Sequence, residues 1–228
     1  MVRFPLFLDL SAKNVLVVGA GTVGRRKIAA LLNCAPRQIK IIDPVLANAD
    51  PNAPEYSFLA HPAVIALARP FKEDDLEDIF LAFAATSNKA LNTNIAELCA
   101  KKAILCNCAA PPLVGDCIVP AHFHSEGLSV AVSTQGHSPA LAKVLREELE
   151  AYVASRYTTA LLVLGRLRPL LLNLDLTDRE NGGLLRTLAR SELGSLLESG
   201  DIDAAARLLR GLLPEALHPR IRELLYGF

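Results

Sequence analysis

The stretch 14–19, NVLVVG, is an almost unbroken apolar run that closes on glycine. A strand buried on both faces of a sheet reads this way. Residues 22–33 follow with Val23, Ile28, Leu31 and Leu32 at helical spacing. The next apolar run, Ile39-Lys40-Ile41-Ile42, ends at Asp43, and Pro44 opens a loop rich in Ala, Asn and Pro up to about residue 56. Further strands are expected at 63–68, 79–85 and 103–106, with helices at 73–78 and 88–101. Strands alternating with helices predict a parallel sheet with right-handed crossovers. Residues 1–112 therefore read as one doubly wound, Rossmann-like domain.

The pattern changes after residue 112. Two short apolar runs, 117–120 and 128–132, flank Ser125-Glu126-Gly127, which suits a hairpin turn. Ser138 and Pro139 then read as an N-cap and a first helical position. The helix they start places Leu141, Val144, Leu145, Leu149 and Tyr152 along one face. A hairpin and one helix hold too little core to stand alone, so a second copy is expected to complete residues 113–149 as a dimerisation domain. From 150 to 228 the chain is rich in Leu, Ala, Arg and Glu without strand-like alternation, which predicts a helical domain. Asp201 is the expected N-cap of a helix over 202–210.

Composition narrows the function classes. Lys+Arg and Asp+Glu balance at 24 each, which gives no electrostatic footprint for nucleic acid. The richest apolar run, over 159–174, is broken by Arg166, Arg168 and Pro169, so no membrane span is expected. The first ten residues, MVRFPLFLDL, lack the features of a signal peptide, and a cytoplasmic protein is expected. Five cysteines without a CxxC pair read as buried free thiols in a reducing compartment, and no metal site is expected.

The chemistry-bearing motif is Gly19-Ala20-Gly21-Thr22-Val23-Gly24, a GxGxxG that directly follows a buried strand and opens a helix. Gly19 permits the tight turn, Gly21 lets a pyrophosphate approach the backbone, and Gly24 lets the helix pack close to the strand. The helix N-terminus offers free N–H groups, including those near Thr22 and Val23, to the phosphates. Asp43 ends the following strand, 19 residues past Gly24. A carboxylate there accepts hydrogen bonds from the adenosine ribose and repels a 2′-phosphate, which favours NAD over NADP. Thr86, at the end of the fourth strand, reads either as a ribose or pyrophosphate contact or as a loop residue capping the next helix.

Several phrases resemble one family. FPLFLDL before the first strand, GAGTVGRRKIAALL, AATSNKALNTNIAELC, LCN and VAVSTQGHSPALAKVLREELE are similar to the precorrin-2 dehydrogenase family, the dehydrogenase and ferrochelatase part of siroheme synthase. The resemblance covers residues 4–150 in continuous order. It implies an NAD domain, a small dimerisation domain and a helical domain in a homodimer. It also implies the reaction: NAD accepts a hydride from precorrin-2 and a proton leaves, giving sirohydrochlorin. Some members then insert Fe²⁺. No methyltransferase region is recognised, so synthesis of precorrin-2 is not expected of these residues.

One departure stands out. The family has an Asp in a stretch like N-x-x-D-x-P, and here Asn107-Cys108-Ala109-Ala110-Pro111-Pro112 puts Ala110 in its place. Slow dehydrogenation with weak or absent chelation follows. Asp116 matches a second acid of the family, Thr134 lies in its ST-x-G-x-SP loop, and His137 precedes the helix N-cap; these three are the substrate-site candidates. Thr134 also reads as a turn hydroxyl bonding its own backbone, and His137 as a solvent-exposed histidine. His122 and His124 share a face if 120–124 is extended, a beginning for a metal site that lacks further ligands. Arg25, Arg26 and Lys27 suit a polycarboxylate substrate or a solvated helix face. The acids at 73–78 suit a helix start. Two other functions share these features: a carrier that binds NAD and tetrapyrrole without turnover, and a different dehydrogenase on the same fold.

Overall fold

The computed structural model describes residues 3–109, 114–125, 127–154 and 157–227. They form two compact units, residues 1–119 and 120–228. The first unit holds a five-stranded sheet in the order β3-β2-β1-β4-β5, with every pairing parallel. Its strands are β1 (Asn14–Val18), β2 (Gln38–Ile42), β3 (Val64–Leu67), β4 (Leu81–Ala84) and β5 (Leu105–Cys108). Helices α1 (Thr22–Leu32) and α2 (Lys89–Lys101) are its two α-helices among the described residues.

The apolar runs of the central strands serve two cores at once. Val15, Val17, Ile39, Ile41 and Phe83 pack with Ile28 and Leu31 of α1. Leu16, Val18, Ile42, Ala82 and Ala84 pack with Ile95 and Cys99 of α2. Neighbouring residues of a strand face opposite sides of the sheet, so β1 and β4 need apolar side chains at nearly every position. The edge strand β3 is covered incompletely and carries exposed Ile65.

Several sequence expectations shift. The helix expected over 73–78 is a single 3-10 turn, Glu73–Leu76. Asp75 is a helix-start acid, as expected, accepting from Lys72 N–H at 2.8 Å, but it is also buried, 4% exposed, and accepts from both terminal nitrogens of the Arg69 guanidinium at 2.6 and 2.9 Å. The fifth strand begins at Leu105 rather than 103, because α2 ends in a left-handed Ala103 (φ 55°) with Ile104 N–H bonded back to Cys99 C=O at 2.9 Å. The loop after Asp43 contains two 3-10 segments, Pro44–Asn48 and Pro54–Ala60.

The run 117–120 is not a strand of the hairpin. Asp116 and Cys117 N–H both bond to Cys106 C=O, Asn107 Nδ2 donates to Cys117 C=O, and Cys117 and Val119 pack on the α1-side core. Both backbone groups of Cys117 are thus paired on the β5 edge.

In the second unit the hairpin is β6 (Ala121–Ser125) with β7 (Leu128–Val132), antiparallel, Ser125 pairing with Leu128. Glu126 of the expected turn lies outside the described residues. α3 (Pro139–Ala154) follows, and Ser138 Oγ accepts from Leu141 N–H at 3.2 Å as the N-cap. Of its apolar face, Leu141, Val144, Leu149 and Tyr152 are exposed in the single chain.

Helices α4 (Thr158–Leu172), α5 (Asp178–Arg190), α6 (Leu193–Glu198), α7 (Ile202–Leu212) and α8 (Ile221–Leu224) enclose a Leu-rich core. Asp201 caps α7 through Ala204 N–H, as its sequence position requires. Among the described residues no helix is long and apolar enough to cross a membrane.

Candidate dinucleotide site

The order β3-β2-β1-β4-β5 reverses direction between β1 and β4. Ligands of open parallel sheets bind beyond the carboxyl ends of the strands at that point. The turns that leave β1 and β4 meet there. Gly19 has φ +105°, and a Cβ on it would stand 2.5 Å from Ala85 C=O oxygen and 2.8 Å from Thr86 N. Any side chain at 19 would push the two turns apart. A Cβ on Gly24 would lie 1.8 Å from Gly19 O, so α1 packs on the turn at a distance only glycine allows.

Gly21 differs from both. Nothing lies within 4 Å of a Cβ built there. It is the N-cap of α1, no side chain caps the helix, and no acid occupies the first turn. The turn thus leaves exposed backbone at a positive helix end, and a Cβ at 21 would project into open space over it. This fits a dinucleotide pyrophosphate, so the residues present agree with the group that the motif implies. Thr22 and Val23 are exposed in the first turn of α1.

Asp43 sits beside this turn. Its Oδ2 accepts from Ala20 N–H at 2.6 Å and its Oδ1 from Val45 N–H at 2.9 Å. The carboxylate fixes the glycine turn from the neighbouring strand and keeps a lone pair on each oxygen for a ribose hydroxyl.

Thr86 is held by its own loop. Its hydroxyl donates to Asn92 Oδ1 at 2.7 Å, and Asn88 N–H reaches it at 3.2 Å. Asn88 caps α2 through Leu91 N–H. Asn92, absent from the sequence reading, is 2% exposed. The signal that could have found it is its place in the buried stripe Asn92, Ile95, Ala96, Cys99 of α2.

The substrate-site candidates fall in both units. Asp116 belongs to the first: its Oδ2 accepts from Cys106 N–H at 3.2 Å, against the β5 edge. Ala110 lies outside the described residues. Thr134 and His137 share one loop of the second unit, where Gln135 (φ 54°) and Gly136 (φ 88°) turn the chain. The Thr134 hydroxyl accepts from Ser138 N–H and donates to Ser138 C=O, closing this loop, while His137 is exposed. His122 and His124 do face one another on β6, ring centroids 5.4 Å apart, and each ring Nδ1 engages the hairpin's own oxygens, Pro120 C=O and Ser129 Oγ.

The GRRK cations are engaged in part. Arg25 stacks over Tyr56 at 5.4 Å, and Lys27 lies over Phe83 at 6.0 Å. Burial, then Arg26, pulls the Lys27 ammonium below its ordinary value. The cysteines are free thiols, but Cys34 is exposed rather than buried, at the end of α1 with its thiol donating to Ala30 C=O. Burial pushes Cys117 up to about 11, and a hydrogen bond to Cys99 pushes Cys106 up. Both shifts disfavour the thiolate.

Known proteins align with this arrangement. Residues 6–121 match the family model described as putative NAD(P)-binding, and residues 126–152 match that of the sirohaem biosynthesis protein central region. A siroheme synthase of Thioalkalivibrio sulfidiphilus is 35% identical over 155 residues, covering 68% of this chain and 30% of that protein. A siroheme synthase of Escherichia coli O1:K1 is 35% identical over 152 residues, covering 66% and 32%. The chain thus spans about a third of the length of these curated relatives. The solved structure of SirC, precorrin-2 dehydrogenase, superposes with a TM-score of 0.69 at 24% identity, covering 99% of this chain and 100% of that one, a likeness of fold. With its model covering half of the residues, the NAD(P)-binding family includes this chain, which carries in addition the match to the sirohaem biosynthesis protein central model.

Proposed function

We propose that the chain oxidises precorrin-2 to sirohydrochlorin with NAD⁺, releasing NADH and a proton. The carrying observation is the glycine turn at the switch point, open over Gly21 and braced by Asp43. The match to siroheme synthases supports the substrate. Gly19, Gly21 and Gly24 shape the cradle, the first-turn N–H groups of Thr22 and Val23 face the phosphates, and Asp43 accepts from the adenosine ribose. Bound there, NAD⁺ supplies the hydride acceptor. Asp43 favours NAD⁺ because its charge opposes a 2′-phosphate. Thr86 acts from the β4 turn, and Asp116, Thr134 and His137 are the residues proposed to approach the macrocycle.

The same reading places the protein in the cytoplasm as a homodimer, with parts at 1–112, 113–149 and 150–228. The exposed apolar face of α3 supports a second copy packing there. Ala110 leaves the family's acid position without acid–base capacity, so turnover is slow and metal insertion weak or absent.

The test is NADH formation from precorrin-2 and NAD⁺, in the wild type and in Ala110→Asp. Turnover that rises about a hundredfold in the variant, the scale of a general base, supports the reading. Binding of precorrin-2 with no spectral conversion in either protein would instead identify a carrier.

A further inference from the structure

We infer that Asn92 is a positioning residue for the dinucleotide site, acting through the peptide that joins Ala85 to Thr86. The inference rests on the proposed NAD⁺ site at the β1–α1 turn.

Asn92 is one of three buried polar or charged residues among those described. Its whole amide is spent on one residue. Oδ1 accepts from Thr86 N–H at 3.0 Å and from the Thr86 hydroxyl at 2.7 Å, and Nδ2 donates to Thr86 C=O at 2.9 Å. The side chain thus copies the pairing of an adjacent strand at the point where β4 has ended and no backbone partner follows. Thr86 is thereby fixed in both position and orientation. The same peptide is the surface against which Gly19 is set, since a Cβ on Gly19 would lie 2.8 Å from Thr86 N. The chain of contact runs from Asn92 through Thr86 to the glycine turn. An amide that sets the height of this wall sets the width of the crevice beside it.

The oxygen and the nitrogen of the amide do different work, and this separates positioning from mere packing. Asn92→Asp keeps the shape. Its ionised carboxylate accepts only, and so faces Thr86 C=O with no proton between them. The protonated carboxyl has one donor and restores the full set. NAD⁺ affinity of the Asn92→Asp protein should therefore rise as pH falls, while the wild type stays nearly flat over the same range.

The experiment is calorimetric titration of the full chain with NAD⁺ between about pH 5.5 and 8.5, on wild type, Asn92→Asp and Asn92→Ala. The expected result is affinity lowered about tenfold in Asn92→Ala, and a pH-dependent deficit in Asn92→Asp that closes toward the acid end. Equal affinity and equal flatness in all three proteins would overturn the inference and leave the dinucleotide site standing. No binding by the wild type would overturn that site and this inference together. Hydrogen exchange at residues 85–88 of the wild type supplies a readout that needs no variant. Slowed exchange of the Thr86 amide on saturation with NAD⁺ supports the inference, and unchanged exchange on a protein that binds contradicts it.

Discussion

The carboxylate of Asp43 accepts the backbone N–H of Ala20 at 2.6 Å, across 23 positions of sequence. The end of β2 is thereby tied to the turn after β1 by a side chain that the motif assigns to the cofactor. Both uses are compatible because a carboxylate offers about four lone-pair sites. Asp43→Ala should cost about 1–3 kcal/mol, since it frees two backbone N–H groups, one of them in the glycine turn. It should also lower NAD⁺ affinity at least about tenfold. Thermal unfolding and calorimetry on the same preparation read the two effects. Unchanged stability would show that the Ala20 bond is idle.

Gly24 and Gly21 separate packing from binding. Gly24→Ala drives a methyl to 1.8 Å from Gly19 O, so α1 must move off β1. A loss of about 1–3 kcal/mol or more is expected. Gly21→Ala meets nothing within 4 Å and should melt within a degree or two of wild type. Denaturant unfolding of both variants checks the contrast, and equal destabilisation would contradict it.

Ala103 holds a left-handed conformation, φ 55°, at the end of α2, where glycine has no steric penalty. Its exposed side chain makes no buried contact that substitution would lose. Ala103→Gly should stabilise the protein by about 0.5–1 kcal/mol, the left-handed penalty of roughly 1–2 kcal/mol offset by glycine's greater freedom when unfolded. A lower melting temperature would count against the Schellman-type end seen here.

Asp75 carries a pH dependence of known sign. The Arg69 guanidinium holds its carboxyl below the ordinary value of 3.8. A depressed folded value means the stabilisation is complete above the unfolded value and is lost as pH falls through the folded one. Asp75→Asn should cost about 1–2 kcal/mol at neutral pH, discounted because Arg69 is partly exposed. The deficit should shrink below about pH 4, where the wild type sheds the same pair. Chemical denaturation from neutral to acid pH tests it, and a deficit independent of pH would refute the assignment.

Much of the first unit was legible in the chain. The run before Gly19 reads as buried because β1 must feed two cores, and residues 22–33 read as a helix, seen over Thr22–Leu32, because Ile28 and Leu31 face one of them. The caps Ser138 and Asp201 were legible for the same local reason: short polar side chains that take an N–H three residues on. What local pattern misses is tertiary demand. Cys117 and Val119 are as apolar as a strand, but the β5 edge and the α1-side core claim them. Asp75 reads as one helix-start acid among several, and only its pairing with Arg69 sets it apart. Asn92 is polar in a polar stretch of α2, and its use is seen only where β4 has ended and Thr86 takes its backbone partners from the Asn92 amide.

The most direct test of the dinucleotide site is titration of the full chain with NAD⁺ and NADP⁺, wild type beside Gly21→Ala. One NAD⁺ per chain, weaker binding of NADP⁺, and loss of NAD⁺ binding in a Gly21→Ala protein of unchanged stability are the expected results. NAD⁺ binding that survives a methyl group at position 21 would contradict the account, because the phosphates would then lie somewhere other than over that turn.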